Sequence, residues 1–379
     1  MTITRSPIGL LACLAATAAL AHPPGPWQRT EMRAPCTQFA LLRNPYFGDL
    51  HVHTTYSYDA VTGDVRTGPR DAYRFAQGEA IGLPPYDAQG NALRGAQLAR
   101  PLDFTAVTDH SELFGEVQIC LTPGLPGYDS MPCQTYRQGI PQLSQTTSQG
   151  VQLFSVNYLV TRTPARFPFC GTGGAECLAE ASLVWEDIQA AAEQFYDRSA
   201  ACDFTTFVGY EWTGNTSVQN LHRNVIFRNE VVTPLPISYV EQPTPQGLWA
   251  ALETQCLDAG NRCDVLAIPH NSNQSNGAMF MPENADGSPL TAANATERAA
   301  MEPLVEIFQH KGDSECRPGV MTNDELCGFE KWSGTLIGIP PSAHQSYPPL
   351  LFVRNALKEG LVQEEHLGVN PFRLGLIGS

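Results

Sequence analysis

The chain has 379 residues, 42% hydrophobic and 16% charged, which is enough apolar material for a large core and excludes a disordered chain. Its formal net charge of −15 excludes a general binder of nucleic acid or of anionic membranes, because such partners need a basic face.

Residues 1–21 read as a secretory signal: Arg5 in a short polar start, an apolar stretch over residues 8–20, and Ala19-Leu20-Ala21 as a small-x-small cleavage site. The apolar stretch falls short of the roughly 20 residues that span a bilayer. A periplasmic or secreted protein is therefore expected, with no transmembrane segment once the signal is removed. A retained anchor and a lipoprotein attached through Leu11-Ala12-Cys13 are the alternatives. Residues 22–379 would form one domain with His22 at its start.

Removing the signal also removes Cys13 and leaves ten cysteines, an even number in an oxidising compartment. Their spacing suggests the local pairs Cys120–Cys133, Cys170–Cys177, Cys256–Cys263 and Cys316–Cys327, leaving Cys36 for Cys202. None forms the close CxxC pairs of a structural zinc site, so disulfides are the expected use and thiolate zinc the alternative.

Apolar, β-rich runs recur at residues 47–50, 104–107, 205–210, 224–227, 265–268, 304–308 and 374–377 and read as buried parallel strands. Helical patterns lie between several of them, around Leu183 to Phe195 and Leu350 to Leu361, so an α/β fold is expected. Residues 120–180 are rich in Pro, Gly, Ser, Gln and Thr and read as a cysteine-rich insertion of loops; residues 271–296 read as a second long loop.

His51 and His53 stand two apart on the first run, so their side chains share one face of a strand. Asp109 and His110 follow the second run, Glu211 follows Phe207-Val208-Gly209-Tyr210, and His270 follows Val265-Leu266-Ala267-Ile268-Pro269. In (β/α) barrels, catalytic groups gather at that C-terminal edge of the strands. Imidazoles with a shared carboxylate suit zinc, manganese or iron.

These segments resemble the successive motifs of the PHP superfamily of metal-dependent phosphoesterases, and residues 46–60, 101–110 and 207–214 resemble a poorly characterised, often exported branch of it. The resemblance implies a distorted (β/α)7, TIM-like barrel holding two or three divalent metals. His51 and His53 would bind the first metal and Glu211 would bridge the first and second. His222 and His270 would complete the second, and His110 with Asp59 would hold a third. The eleven-residue interval from Glu211 to His222 also occurs in PHP phosphatases.

Such proteins usually close their site with an Asp-x-His motif after a last apolar strand. Here the run Leu374-Gly375-Leu376-Ile377 is followed by the end of the sequence, and no other Asp-x-His occurs. The expectation is a chain lacking its C-terminal part, weakly active or inactive beside a longer parent. The expected activity is hydrolysis of a phosphomonoester by a metal-bound hydroxide, with a small, phosphorylated anion as substrate. Arg223 and Lys311 are candidates to steady the phosphate, and His310 to act as an acid or ligand. His344 and His366 read as solvated. A metal-dependent hydrolase of C–N or C–O bonds, and a catalytically dead cell-envelope binding protein, are the competing readings.

Overall fold

The computed structural model describes residues 33–40, 42–138, 163–216, 219–332 and 347–378. The signal-peptide reading, part of the cysteine-rich insertion and His344 fall outside them.

Each of the seven apolar runs becomes a strand. Five form one sheet in the order β1 (Gly48–Val52), β4 (Phe104–Val107), β5 (Thr205–Trp212), β6 (Arg223–Phe227), β7 (Val265–Pro269). The expectation of parallel strands holds for β1 beside β4 and β4 beside β5, but β6 runs antiparallel to both neighbours. The reason is local: the short connection from Trp212 to Arg223 cannot make the crossover of a dozen or more residues that a parallel return needs. A hairpin not expected from the sequence, β2 (Ile81–Tyr86) with β3 (Ala92–Ala96), forms a separate sheet. The third sheet has β8 (Leu304–Gln309) between β10 (Gly375–Gly378), parallel, and the two-residue β9 (Gly312–Asp313), antiparallel. The fold is mixed α/β, and the described strands form these three sheets without a closed hydrogen-bonded barrel.

Helices α1 (Tyr58–Thr62) and α2 (Pro69–Ala76) follow β1, and α3 (Phe114–Leu121) follows β4. The insertion is less loop-like than expected. It contains α4 (Met131–Gln138), and its end already belongs to the long α5 (Ala175–Phe195). Further along are α6 (Pro245–Leu252), α7 (Ala292–Met301) and α8 (Val353–Leu367). Their ends follow from side chains: Thr244 caps α6 through Gly247 N, and Thr291 and Asn294 form a reciprocal box at the start of α7.

The main core lies on the outer face of the large sheet, where Tyr73 of α2 and Trp185, Ile188 and Ala192 of α5 meet Val107, Val208, Tyr210 and Phe227. A smaller cluster on the other face joins Ala106, Ile226 and Ile268 with Leu304 and Ile377 of the third sheet. A third cluster gathers Val61 of α1, Val117, Tyr136, Phe167 and the Cys120–Cys133 and Cys170–Cys177 pairs, so the insertion packs over α1. All five cystines have the pairing suggested by spacing, the other three being Cys36–Cys202, Cys256–Cys263 and Cys316–Cys327. No helix among the described residues is long and apolar enough to cross a membrane.

Two glycines mark obligatory close approaches. A Cβ on Gly48 would lie 2.3 Å from Phe104 O at the start of the β1–β4 ladder, and one on Gly115 would lie 1.8 Å from Cys177 O where α3 crosses α5. Gly115→Ala is therefore expected to force the two helices apart and cost about 2–3 kcal/mol. Chemical denaturation checks this, and an unchanged midpoint would show that the helix contact is not tight.

Candidate metal centre

The strand ends deliver the chemistry to one place. Pleating turns His51 and His53 to the same side of β1, and α1 directly after it brings Asp59. His110 follows β4 and joins Glu211 of β5 through an isolated parallel bridge. His222 immediately precedes β6, whose antiparallel direction puts its N-terminal end at the same edge, and His270 immediately follows β7.

Glu211 is the hub. It is fully buried, and five imidazoles face its two oxygens. His51 Nε2 and His53 Nε2 lie 3.3 and 2.8 Å from Oε2, while His110 Nδ1, His222 Nδ1 and His270 Nε2 lie 3.3, 2.6 and 3.2 Å from Oε1. Asp59 closes one side, 3.2 Å from His53 Nδ1 and 3.3 Å from His110 Nε2. Glu306 of β8 closes the other, 2.8 Å from His51 Nδ1.

Hydrogen bonding alone does not account for this cluster. A carboxylate offers about four lone-pair sites, and a neutral imidazole has only one N–H. His222 Nε2 is 3.0 Å from Asn215 Oδ1, its acceptor, so the proton sits there and the Nδ1 lone pair faces the Glu211 oxygen. That Nδ1 and His270 Nδ1 are buried without hydrogen-bond partners. Protonation does not rescue them. Burial pulls His222 down to about 3 and His270 down to about 4, against the opposing pull of Glu211. His222 thus turns a lone pair toward a buried carboxylate oxygen, a contact that a divalent cation between them would relieve, so the donor set fits metal.

Four overlapping triads have ligand atoms mutually within 4.8 Å: His51, His53, Glu211; His110, Glu211, His222; His53, Asp59, His110; and His51, His270, Glu306. The expected groups of His51 and His53 with Glu211 and of Asp59 with His110 recur among these triads, while His222 and His270 share none. His110 shares a triad with His222, and His270 stands with His51, its ring centroid 4.2 Å away. A fifth group, Glu116 with Cys170 and Cys177, is not a cation site, because the cysteines form a disulfide and Arg166 Nη1 lies 3.0 Å from Glu116.

A family model described as "Protein of unknown function (DUF3604)" matches residues 40–379. The chain belongs to the DUF3604 family. No curated protein and no solved structure matches it.

In this DUF3604 chain a further layer holds the imidazoles. Thr213 Oγ1 lies 2.6 Å from His110 Nδ1, and the Thr213 amide donates to buried Glu112 at 2.7 Å. Tyr58 stacks on His110 with 4.7 Å between centroids. Asp109 accepts the Thr54 amide and, at 2.7 Å, the Thr54 hydroxyl; burial pushes it up to about 6, with His53 opposing. A cavity of about 780 Å³ between β1 and β10 reaches His51, His53 and Glu306.

The secondary candidates divide. Arg223 neighbours His222 on a strand, so it points to the opposite face. There its Nε donates to Glu302 at 2.8 Å, which removes it from the imidazole cluster. His310 and Lys311 follow β8, close enough for His51 and His53 to influence His310, whose affinity for a proton is lowered by partial burial and then by Lys311. His366 is exposed in the last turn of α8, as expected.

Glu306 was not singled out from the sequence. Its signal is a lone carboxylate inside the apolar strand Leu304-Val305-Glu306-Ile307-Phe308, where an unpaired charge is costly. Burial opposes protonation of His51, but hydrogen bonds to Glu211 and Glu306 outweigh it and raise His51 to about 9. A histidine raised in the folded state gives stability that is complete below its unfolded value near 6.5 and is lost as pH rises through the folded value. In metal-free protein, the stability gap between wild type and Glu306→Gln is therefore expected to be widest below pH 6.5 and to narrow up to pH 9. Urea titrations across that range test it; a gap independent of pH would dissociate Glu306 from His51.

Proposed function

We propose that this DUF3604 chain is an exported metal-dependent hydrolase of phosphate esters, phosphomonoesters first, built on a PHP-type open barrel. The observation that carries the proposal is Glu211, a buried carboxylate faced by five imidazole nitrogens whose lone pairs cannot all be met by protons. Packing of Leu304 and Ile377 onto the inner face of the large sheet supports the barrel.

Two or three divalent ions of zinc, manganese or iron would supply Lewis acidity, polarising phosphoryl oxygens and bringing the pKa of water towards neutrality. The residues that would hold them are His51, His53, Asp59, His110, Glu211, His222 and His270, with Glu306 added by the structure. Tyr58 and Thr213 fix the His110 ring. The Lys311 ammonium has no hydrogen-bond or ion-pair partner among the described residues and is available to a phosphoryl anion. His310, whose affinity for a proton is lowered by partial burial and by Lys311, would offer a free ring nitrogen as a metal ligand rather than donate a proton.

The decisive experiment is elemental analysis of the disulfide-bonded chain, joined to a hydrolysis panel of aryl phosphates, amides and lactones with manganese or zinc. At least two ions per chain and preferential release of phosphate are expected. A metal-loaded protein that prefers amides or lactones would move it to C–N or C–O chemistry, and a protein that binds no transition metal would be a binding protein.

A further inference from the structure

On the face of β6 turned away from the imidazoles lies a second cavity, about 590 Å³, lined by Leu221, Arg223, Trp249, Met279 and Arg298. The two arginines are 1% and 4% exposed, and they share one carboxylate. Arg223 Nε donates to Glu302 Oε1 at 2.8 Å, as does Trp249 Nε1 at 3.2 Å. Arg298 Nε is 3.3 Å from Glu302 Oε2 but lacks hydrogen-bond geometry to it. The other bonded guanidinium nitrogens go to backbone, Arg223 Nη1 to Leu221 O and Arg298 Nη2 to Met279 O. Arg223 Nη2 and Arg298 Nη1 have no acceptor among the described residues.

Two buried cations against one buried anion leave one positive charge uncompensated, which an interior does not tolerate cheaply. Burial accordingly pulls Arg298 down to about 10; Glu302 opposes this and Arg223 adds to it. The acidic residue on the cavity wall, Glu283, is exposed to solvent.

We propose that this cavity is a binding site for a small organic carboxylate, seated between the Arg223 and Arg298 guanidiniums with its apolar body against Leu221, Trp249 and Met279. One net positive charge matches a monoanion; a phosphate dianion would overcompensate it. The wall of indole, thioether and isobutyl groups selects a ligand with an apolar part over a bare ion. Arginine pairs carboxylates in a planar, two-pronged geometry, and both forks keep a free prong.

The test is calorimetric titration of the whole disulfide-bonded chain with phenylacetate and with inorganic phosphate, before and after metal removal by a chelator that is then desalted away. Saturable phenylacetate binding at one site is expected in both states, weakened at least about tenfold by Arg298→Met. Ala285→Trp, at an exposed position on the cavity wall, fills the space without touching the buried charges and is expected to weaken binding as much. It decides the matter if Arg298→Met does not fold. Loss of binding on metal removal would assign the ligand to the imidazole cluster. That result, tighter binding of phosphate than of phenylacetate, no saturation at millimolar ligand, or unchanged affinity in Ala285→Trp would each overturn the proposal.

Discussion

Under the proposed function, Glu211→Gln is expected to empty the candidate metal centre and to lower kcat/KM for an aryl phosphate at least about 10³-fold, because Lewis-acid stabilisation worth several kcal/mol would go with the ions. Glutamine keeps the shape and loses the charge. In the folded protein the carboxylate is held ionised: burial works against this, but His110, His270 and His222 around it hold it well below the usual carboxylate range. Two of the four candidate triads use Glu211 directly, and the other two share His51, His53 or His110 with those. Elemental analysis should find less than about one ion per chain, while circular dichroism and the native disulfide count stay unchanged. His366→Ala, exposed on α8 and in none of the candidate triads, is the control and should keep both metal and turnover. Retention of a full metal complement by Glu211→Gln would remove the basis of the proposed activity.

The candidate ligands legible in the sequence were those whose position could be read from an apolar run. His51, His53, Glu211 and His270 each lie on or just after such a run, and period-two alternation was enough to pair the first two. Four cystines were legible too, because short separations leave few partners within reach, and Cys36 and Cys202, 166 residues apart, were the two left over. Glu306 escaped because its strand was read as core and the one charge within it was not asked for a partner. Arg223 was misplaced for the converse reason: adjacency to His222 was taken as proximity, whereas neighbouring residues of a strand face opposite ways. Thr213 and Asn215 act through a loop whose geometry has no period to read. The antiparallel course of β6 was implicit in the short interval from Trp212 to Arg223, but an apolar run carries no direction of its own. How the triads share candidate ligands depends on approaches of a few tenths of an ångström between rings from four strand ends, which spacing does not encode.

The second large effect concerns stability and should leave the metal centre untouched. Cys36 and Cys202 are 166 residues apart, whereas Cys256 and Cys263 are seven apart. In the chain-entropy account a cystine acts by restricting the unfolded chain, so removing the first pair should cost about 5 kcal/mol and the second about 2.5 kcal/mol. The native state should feel the first loss little. Backbone and side-chain bonds remain at the same strap, from Thr37 N to Ala200 O at 2.9 Å and from Arg33 Nη1 to Tyr196 Oη at 3.0 Å. Cys202 also precedes the first residue of β5, while Glu211 stands near its far end, about 20 Å along a strand of this length. The double variant Cys36→Ser with Cys202→Ser is therefore expected to unfold at markedly lower urea than Cys256→Ser with Cys263→Ser, with metal content and turnover in native buffer equal to wild type. Equal costs for the two pairs would mean that native-state contacts at the cystines, not loop length, set their contribution. Loss of metal in the first variant alone would show that the strap at the start of β5 also holds the Glu211 end in register.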